Sequence, residues 1–305
     1  MTFKAVMTLV CLLLLPAAAA SAEPAARPTA PLVLMTDFGL RDGAVAEVKG
    51  VAYGVSRGLL VADLTHEIED GIWEGAYRFY QVAPYWPKGT VFVGVVDPGV
   101  GTARRSIVAR TKAGHYFVVP DNGLLTLIDE VESIDEIRTI DETVNRLPGS
   151  EKSHTFHGRD VFGYTGARLA AGVITFEQVG PVLPANLLVR LSYQHPAKEG
   201  DSLKGMIPML DHPYGNVWTN IPQALFEQSG FKLGGKVKVE IFHDGKLIDT
   251  VIAPFTRTFG DVAVGQPLVY INSLFNVAVA LNQGNYARDH NIASGAGWSV
   301  RLSRP

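Results

Sequence analysis

The sequence has almost no cysteine and no excess of charge of either sign. Cys11 is the single cysteine among 305 residues, and it lies in an N-terminal stretch that we expect to be removed. A mature chain without thiols excludes disulfide bonds, thiolate nucleophiles and zinc sites built on cysteine. The 27 Lys and Arg residues stand against 30 Asp and Glu residues, which gives a formal net charge of −3. Because binding to a nucleic-acid backbone needs clustered basic residues, this balance argues against a nucleic-acid partner.

Residues 1–22 have the organisation of a secretory signal peptide. Lys4 supplies a positive start, VMTLVCLLLLPAAAA an apolar core, and Ala20-Ser21-Ala22 a small-residue cleavage pattern. We predict cleavage before Glu23 and export to the periplasm or the cell exterior. The alternative is an uncleaved anchor, which needs roughly 20 apolar residues, and this run is shorter. Residues 23–30 follow as a leader rich in Glu, Ala and Pro, and we expect no membrane contact after cleavage.

Two kinds of hydrophobic pattern divide the rest of the chain. From 31 to 192, the apolar runs PLVLMTDFG, LLVADLTHEI, TVFVGVVDPGVG and SIVARTKAGHYFVVPDNG alternate with the helical patterns GAVAEVKGVAYGVS, IWEGAYRFYQVAPYW and LLTLIDEV. Apolar strands separated by helices predict an α/β sheet domain with helices on both faces. From 193 to 305, short alternating runs such as KVKVEIFHDGKLIDTVIA predict an antiparallel sheet or small barrel, with the boundary near YQHPAKEGDS.

Aspartates occur where the predicted strands of the first domain end. They are Asp37, Asp63, Asp97 and Asp121. In open α/β sheets the carboxyl ends of the strands form the ligand crevice, so these positions are candidates for a functional site.

Three short segments carry the polar residues of greatest interest. Asp97 and Arg104 belong to VVDPGVGTARR, His157 belongs to TFHGRDVF, and Asp211 and Asn216 belong to DHPYGNVWTNI. Each segment also has an ordinary structural interpretation, since Asp, Pro and Gly are typical of turns and helix caps. A carboxylate can also accept a proton from water, while a guanidinium keeps its charge and favours hydroxide character nearby.

Taken in order, these segments resemble one family, the S-adenosyl-L-methionine (SAM) hydrolases, which are related to the fluorinases and chlorinases. The similar blocks are TDFGLRDGAVAEVKGV, VDPGVGTARR, PDNGLL, TFHGRDVF and DHPYGNVWTNI, and the resemblance extends from about Pro31 to Leu302. It implies that Asp97, Arg104 and His157 are a catalytic triad that holds and activates water. Halogenating relatives carry a tyrosine at the first position and a Tyr-Ser pair at the third.

The resemblance also implies substrate-binding roles. Asp37 would bind the ribose hydroxyls, Asp211 the methionine ammonium and Asn216 the adenine edge, and Ser273 would lie near the methionine carboxylate. Further candidates for contacts and apolar walls are Asp42, Phe156, Tyr214 and Phe259. Leu274 and Phe275 depart from the Arg-Gly or small-residue-Gly pattern of the family beside Ser273. The implied architecture is an N-terminal α/β domain and a C-terminal β-barrel, in a homotrimer with active sites between subunits, and neither metal nor cofactor is implied.

The leading hypothesis is therefore hydrolysis of SAM to adenosine and L-methionine by water attack at ribose C5′. Because SAM is a cytoplasmic metabolite, the export signal keeps two alternatives open: hydrolysis of another adenosyl compound, and a nucleoside-binding protein without turnover. A metal-dependent phosphoesterase is a third, although the spacing of His and carboxylate residues does not favour it. Halide use is disfavoured because the charge of Asp97 would repel the anion.

Overall fold

The structure, a computed structural model, describes residues 29–305. The expected signal peptide and residues 23–28 of the leader lie outside the described residues. No helix within 29–305 combines the length and the apolar character needed to cross a membrane.

The first half of the chain forms a seven-stranded mixed sheet with the strand order β2-β1-β3-β5-β4-β6-β7. Its strands are β1 Leu32–Thr36, β2 Val61–Thr65, β3 Val91–Val95, β4 Ser106–Thr111, β5 Tyr116–Pro120, β6 Ile134–Thr139 and β7 Val182–Leu183. The associated helices are α1 Ala44–Val55, α2 Gly71–Val82, α3 Thr126–Glu132, α4 Glu142–Asn145 and α5 Tyr164–Ala170. Strands β2, β1, β3 and β5 pair in parallel, whereas β4, β6 and β7 pair antiparallel.

Both faces of this sheet are covered, as the apolar strands predict. Helices α1 and α5 pack on one face in a core that includes Val48, Ala167 and Phe162. Helices α2 and α3 pack on the other face with Phe79 and Ile128. The run SIVARTKAGHYFVVPDNG, however, contains no intervening helix and folds as the antiparallel hairpin β4–β5. The α/β prediction is confirmed, and the sheet is mixed because this hairpin reverses the chain direction.

The second half consists of two antiparallel sheets. A four-stranded sheet has the order β10-β11-β15-β14, and a five-stranded sheet has the order β13-β12-β16-β9-β8. The strands are β8 Ala197–Glu199, β9 Ser202–Met206, β10 Met209–Asp211, β11 Asn216–Pro222, β12 Lys236–His243, β13 Lys246–Pro254, β14 Pro267–Ile271, β15 Asn276–Leu281 and β16 Trp298–Ser303, with the short helices α6 Gln223–Gln228 and α7 Tyr286–Asp289. One core, including Val239 and Val279, joins both sheets.

The predicted positions of the strand-end aspartates are correct for three of the four. Asp37 and Asp97 lie just beyond β1 and β3, and Asp121 follows β5. Asp63 instead lies inside the edge strand β2, where its carboxylate pairs with Lys49 at 2.6 Å. The prediction for Asp63 is wrong because β2 continues for two residues beyond it, through Thr65.

Candidate active site

The loop after β3 brings a carboxylate and a guanidinium together. Arg104 Nε donates to both carboxylate oxygens of Asp97 at 3.0 Å, and Nη2 donates to Oδ2 at 2.5 Å. The remaining nitrogen, Nη1, donates to Ser106 Oγ at 2.9 Å, and the guanidinium lies over the Phe162 ring, 5.0 Å from its centroid. The side chains of Asp97 and Arg104 are only 3% and 10% exposed. This pair is therefore fixed in direction and largely shielded from water.

The neighbouring arginine belongs to a different pair. Arg105 Nε donates to Asp121 Oδ2 at 2.7 Å, and its Nη2 donates to the Leu187 carbonyl at 2.5 Å. Successive side chains of an extended segment point in opposite directions, which explains why the two arginines reach different carboxylates. Arg104 is thus the arginine that meets Asp97, in agreement with the family spacing.

His157 completes this group although it lies 53 residues from Arg104. Its Nδ1 is 3.2 Å from Arg104 Nη2, and its Nε2 is 3.4 Å from Arg146 Nη2. Burial of the imidazole lowers the pKa of His157 below its ordinary value of 6.5, and the positive charges of Arg104 and Arg146 lower it further. The imidazole is therefore neutral near pH 7.

The sequence analysis did not identify Arg146 as part of this site. Arg146 forms an ion pair with Glu142 at 2.8 Å, and Ser106 Oγ donates to Glu142 Oε1 at 3.5 Å. A Glu and an Arg four residues apart at a helix end is a common local pair, and only the tertiary contact with His157 distinguishes this one.

Gly158 allows His157 to sit this close to the sheet. A π-helical turn, Gly158–Gly163, begins directly after His157, and such turns often occur at functional sites. A Cβ atom on Gly158 would lie 2.6 Å from the ring of Phe38 and 3.3 Å from Val95. No larger residue fits at this point without displacing the aromatic ring.

Asp37 lies beside the same group. Its backbone N–H donates to the Val95 carbonyl at 3.2 Å, next to the strand end that carries Asp97. Burial of the carboxylate among neighbouring atoms raises the pKa of Asp37, and the negative charge of Asp97 raises it further, although the residue as a whole remains exposed in the single chain. Phe38 and Phe156 pack edge to face with ring centroids 5.5 Å apart. The aromatic candidate Phe156 therefore stands near the carboxylates.

Asp42 has a local role in the structure. Its Oδ1 accepts a hydrogen bond from Ala44 N–H at 2.9 Å at the start of α1, and the residue is exposed. The structure thus shows a turn interaction for Asp42, and its predicted contact with substrate stays a prediction.

The C-terminal candidates form a second group on the four-stranded sheet. Asn216 is 3% exposed, and its Nδ2 donates to Asp211 Oδ2 at 3.0 Å across the β10–β11 pair. Phe259 packs against Tyr270 with ring centroids 4.9 Å apart, and burial raises the pKa of Tyr270 to about 12. Tyr270 was missed by the sequence analysis, because a tyrosine in an alternating strand is typical of any sheet.

The last two candidates are open to solvent. Tyr214 is 66% exposed in the β10–β11 turn, and Ser273 is exposed in the β14–β15 turn. Phe275, two residues beyond Ser273, is 70% exposed and has φ of 59°, a left-handed conformation that favours glycine. A residue other than glycine carries a backbone cost in this conformation, and the resemblance led us to expect glycine at this position.

Within one chain no polar or aromatic contact joins the two groups. Among residues 29–305, no hydrogen bond, ion pair or aromatic contact joins Asp37, Asp97, Arg104 or His157 to Asp211 or the other C-terminal candidates. The same part of the chain contains no group of three or more His, Cys, Asp and Glu side chains arranged to hold a metal ion.

Comparison with known proteins gives consistent matches along the chain. Residues 32–180 match the SAM hydroxide adenosyltransferase N-terminal domain, and residues 205–299 match the C-terminal domain of the same family. An (R)-S-adenosyl-L-methionine hydrolase of Salinispora tropica is 38% identical over 262 residues, which cover 85% of this chain and 93% of that protein. A protein of the same name from Thermus thermophilus is 36% identical over 262 residues, with coverage of 84% and 93%.

A relative with lower sequence identity and a solved structure are also similar to this chain. A fluorinase of an Actinoplanes species is 30% identical over 289 residues, which cover 87% of this chain and 95% of that protein. Among solved structures, an uncharacterized conserved protein from Thermotoga maritima has a TM-score of 0.82 and 32% identity, and covers 90% of this chain and 100% of its own.

Proposed function

The chain belongs to the SAM hydroxide adenosyltransferase family, and from this premise we propose that it hydrolyses S-adenosyl-L-methionine to adenosine and L-methionine. The observation that carries the proposal is the shielded group formed by Asp97, Arg104 and His157 at the end of β3. Relatives named as hydrolases are 36% and 38% identical, whereas the fluorinase from Actinoplanes is 30% identical.

The proposed reaction is a displacement at ribose C5′. A water oxygen forms the new bond to C5′, the C5′–S bond breaks, and its electron pair stays on sulfur, so methionine leaves as a neutral thioether. The leaving group needs no proton, and the reaction as written uses neither metal nor cofactor. The water is a weak nucleophile, and its proton must be accepted as the bond forms.

We assign acceptance of that proton to Asp97. A carboxylate offers about four lone-pair positions, and Arg104 makes three N–H contacts with Asp97, which leaves room for a water molecule. Arg104 holds the carboxylate in one orientation, and this supplies the positioning part of catalysis. The lowered pKa of His157 keeps this side chain neutral, so it adds no positive charge beside a cationic sulfonium substrate.

The remaining residues would hold the two ends of the substrate. Asp37 would accept hydrogen bonds from the ribose hydroxyls, Asp211 would pair with the methionine ammonium, and Asn216 would meet the adenine edge. Phe156, Tyr214 and Phe259 would supply apolar walls. Since Leu274 and Phe275 take the place of the expected Arg-Gly or small-residue-Gly pair, the backbone and hydroxyl of Ser273 would be the remaining contacts for the carboxylate.

The lack of polar or aromatic contacts between the two groups within one chain supports a shared site. We propose a homotrimer in which the N-terminal group of one subunit faces the C-terminal group of its neighbour. Light scattering coupled to gel filtration measures the mass of the assembly, which should be three times that of one mature chain. Mixing Asp97→Ala and Asp211→Ala subunits by co-expression tests the sharing, because a mixed trimer would contain some sites with both residues intact. Failure of the mixture to recover any activity would contradict a site between subunits.

The central test is release of adenosine by the purified mature protein, followed by chromatography, with Asp97→Ala as the control. Because the relatives carry the (R) designation in their names, both sulfonium epimers should be assayed separately. No adenosine above the Asp97→Ala level would refute the proposal. Tight binding of adenosine by calorimetry, with SAM left intact, would instead support a nucleoside-binding protein.

Two finer points belong to the same proposal. Fluoride or chloride should yield no halogenated adenosine, because the buried negative charge of Asp97 opposes a desolvated anion. Detection of such a product by mass spectrometry would instead assign the protein to the halogenating branch of the family.

Export is tested by cell fractionation and by sequencing the N-terminus of the mature protein, which should begin at Glu23.

A further inference from the structure

A cavity of about 290 Å³ lies between the two domains of one chain. Helices α2 and α3 form one side of the cavity. The interdomain segment, which includes Tyr193 and His195, forms a second side, and the four-stranded sheet with the β9–β10 connection forms the third. Its lining includes Trp73, Tyr77, Tyr80, Glu130, Tyr193 and His195. None of the substrate-binding candidates named above lines it.

Four of the thirteen residues that line this interdomain cavity are Trp or Tyr. Trp73 and Tyr193 have ring centroids 5.1 Å apart, and Tyr77 and Tyr80 have centroids 5.5 Å apart. Trp73, Tyr77 and Tyr80 recur at helical spacing on one face of α2, while Tyr193 comes from the interdomain segment. Trp73 Nε1 donates to the Pro208 carbonyl at 2.9 Å, which ties this wall to the second domain. The rings are thus held by both domains.

The charge of the lining is negative. Glu130 is the acidic residue, Tyr193 OH donates to its Oε2 at 2.5 Å, and neither lysine nor arginine occurs among the described residues that line the cavity. Tyr77 is 2% exposed, and its hydroxyl has no hydrogen-bond partner in the described part of the chain. This hydroxyl is shielded from solvent and is part of the cavity wall, so the carboxylate of Glu130 is the acidic group that a ligand in the cavity would meet.

We propose that the interdomain cavity binds a small methylated onium cation, a quaternary ammonium or a sulfonium. Aromatic rings together with one carboxylate form the kind of lining that recognises such cations, since the quadrupole of an aromatic ring attracts positive charge. Methyl groups on the cation match the apolar walls and weaken its hydration, so the desolvation cost of entry is lower than for a lysine-like ammonium. This site does not depend on the proposed SAM chemistry.

Calorimetric titration with choline, trimethylsulfonium and 3,3-dimethylbutanol tests the proposal. The alcohol has the shape of choline with carbon in place of the charged nitrogen, so it separates cation recognition from simple filling of an apolar pocket. We expect saturable binding of both cations and about ten-fold weaker binding of the alcohol, the ratio that about 1.4 kcal/mol of cation–π attraction gives. Quenching of tryptophan fluorescence provides a second readout, since Trp73 lines the cavity.

Four variants make the result specific. Tyr193→Leu removes a ring and should weaken choline binding about ten-fold, whereas Tyr193→Phe keeps the ring and should stay within about three-fold. Glu130→Gln removes the charge and should weaken choline more than the alcohol. Tyr85→Leu, at a tyrosine that is 73% exposed and outside the cavity, is the matched control and should leave binding unchanged. Circular dichroism and Tm establish that each variant is folded.

Three results would overturn the proposal. Equal affinity for choline and the alcohol would show an apolar pocket without cation recognition, and no saturable binding at millimolar choline would show no site. Unaltered choline binding by a folded Tyr193→Leu variant would place the cation elsewhere on the protein.

Discussion

Replacement of Arg104 by lysine tests the proposed active site most directly, because it keeps the positive charge and removes the planar fork. Arg104 makes three N–H contacts with Asp97, one with Ser106 at 2.9 Å and one with His157 at 3.2 Å. A lysine ammonium is a point charge on a flexible stem and can restore one contact with Asp97. Hydrogen bonds to charged groups contribute about 1.5–3 kcal/mol each, and the pair is shielded from water.

These contacts belong to one guanidinium and do not add, so we expect Arg104→Lys to lose the equivalent of one or two charged hydrogen bonds, about 2–4 kcal/mol. If these contacts position the transition state, kcat/KM for adenosine release falls roughly 30- to 1,000-fold, at about 1.36 kcal/mol for each factor of ten. Initial rates measured by chromatography over a range of SAM concentrations give this ratio. Thermal unfolding shows whether the variant remains folded at the assay temperature.

Arg105→Lys is the matched control. It makes the same chemical change one residue away, in a side chain that is 37% exposed and paired with Asp121. Because the carboxylate of Asp121 is buried, this change should lower Tm, but we expect kcat/KM to change less than about three-fold, since Arg105 contacts neither Asp97 nor His157. Equal losses in the two variants, or full activity in Arg104→Lys, would refute the assignment of Arg104 to the reacting group.

Three further predictions concern pH and stability. Arg146→Gln should move the acidic limb of the kcat/KM profile to higher pH, because the positive charge of Arg146 helps to lower the pKa of His157; an unmoved limb would mean that His157 does not cause it. Phe275→Gly should raise Tm by about 1–4 °C. The left-handed conformation at this exposed residue costs about 1–2 kcal/mol, which glycine avoids, while the larger conformational entropy of glycine in the unfolded chain offsets about 0.5–1 kcal/mol of this gain. A lower Tm would show that packing of the phenyl ring outweighs the backbone strain. His115 donates to Glu132, and this hydrogen bond raises the pKa of His115 above 6.5. The stability that the protonated His115 contributes is therefore fully present below pH 6.5 and is lost as pH rises through the folded-state pKa. Urea unfolding should accordingly show that His115→Asn costs more at acidic than at alkaline pH, and a cost independent of pH would contradict the charged pair.

The fold was largely predictable because its signals are local. Apolar strands and helical spacing identified the layers, and the helices do cover both faces of the sheet. The sequence analysis did not predict that β4 and β5 form an antiparallel hairpin, because a short apolar run does not show in which direction its strand runs in the sheet. Asp63 was placed at a strand end for the same reason: the sequence does not show where a strand stops.

The candidate site divides in a similar way. Asp97 could be identified from its position after an apolar strand, and the motif resemblance supplied Arg104 and His157. The sequence did not reveal Arg146, whose contact with His157 spans the α4 end and the π-helical turn. Tyr270 was missed because its neighbours Trp218 and Phe259 come from other segments of the chain.

The sequence by itself determined the α/β layer pattern, the carboxylate beyond β3 and the family blocks, because hydrophobic period and turn residues act over a few neighbouring positions. Only the tertiary structure decided that Arg105 pairs with Asp121, that two arginines flank His157, and that aromatic residues of both domains line a cavity. These contacts join residues far apart in the chain, and their distances follow from how the layers pack.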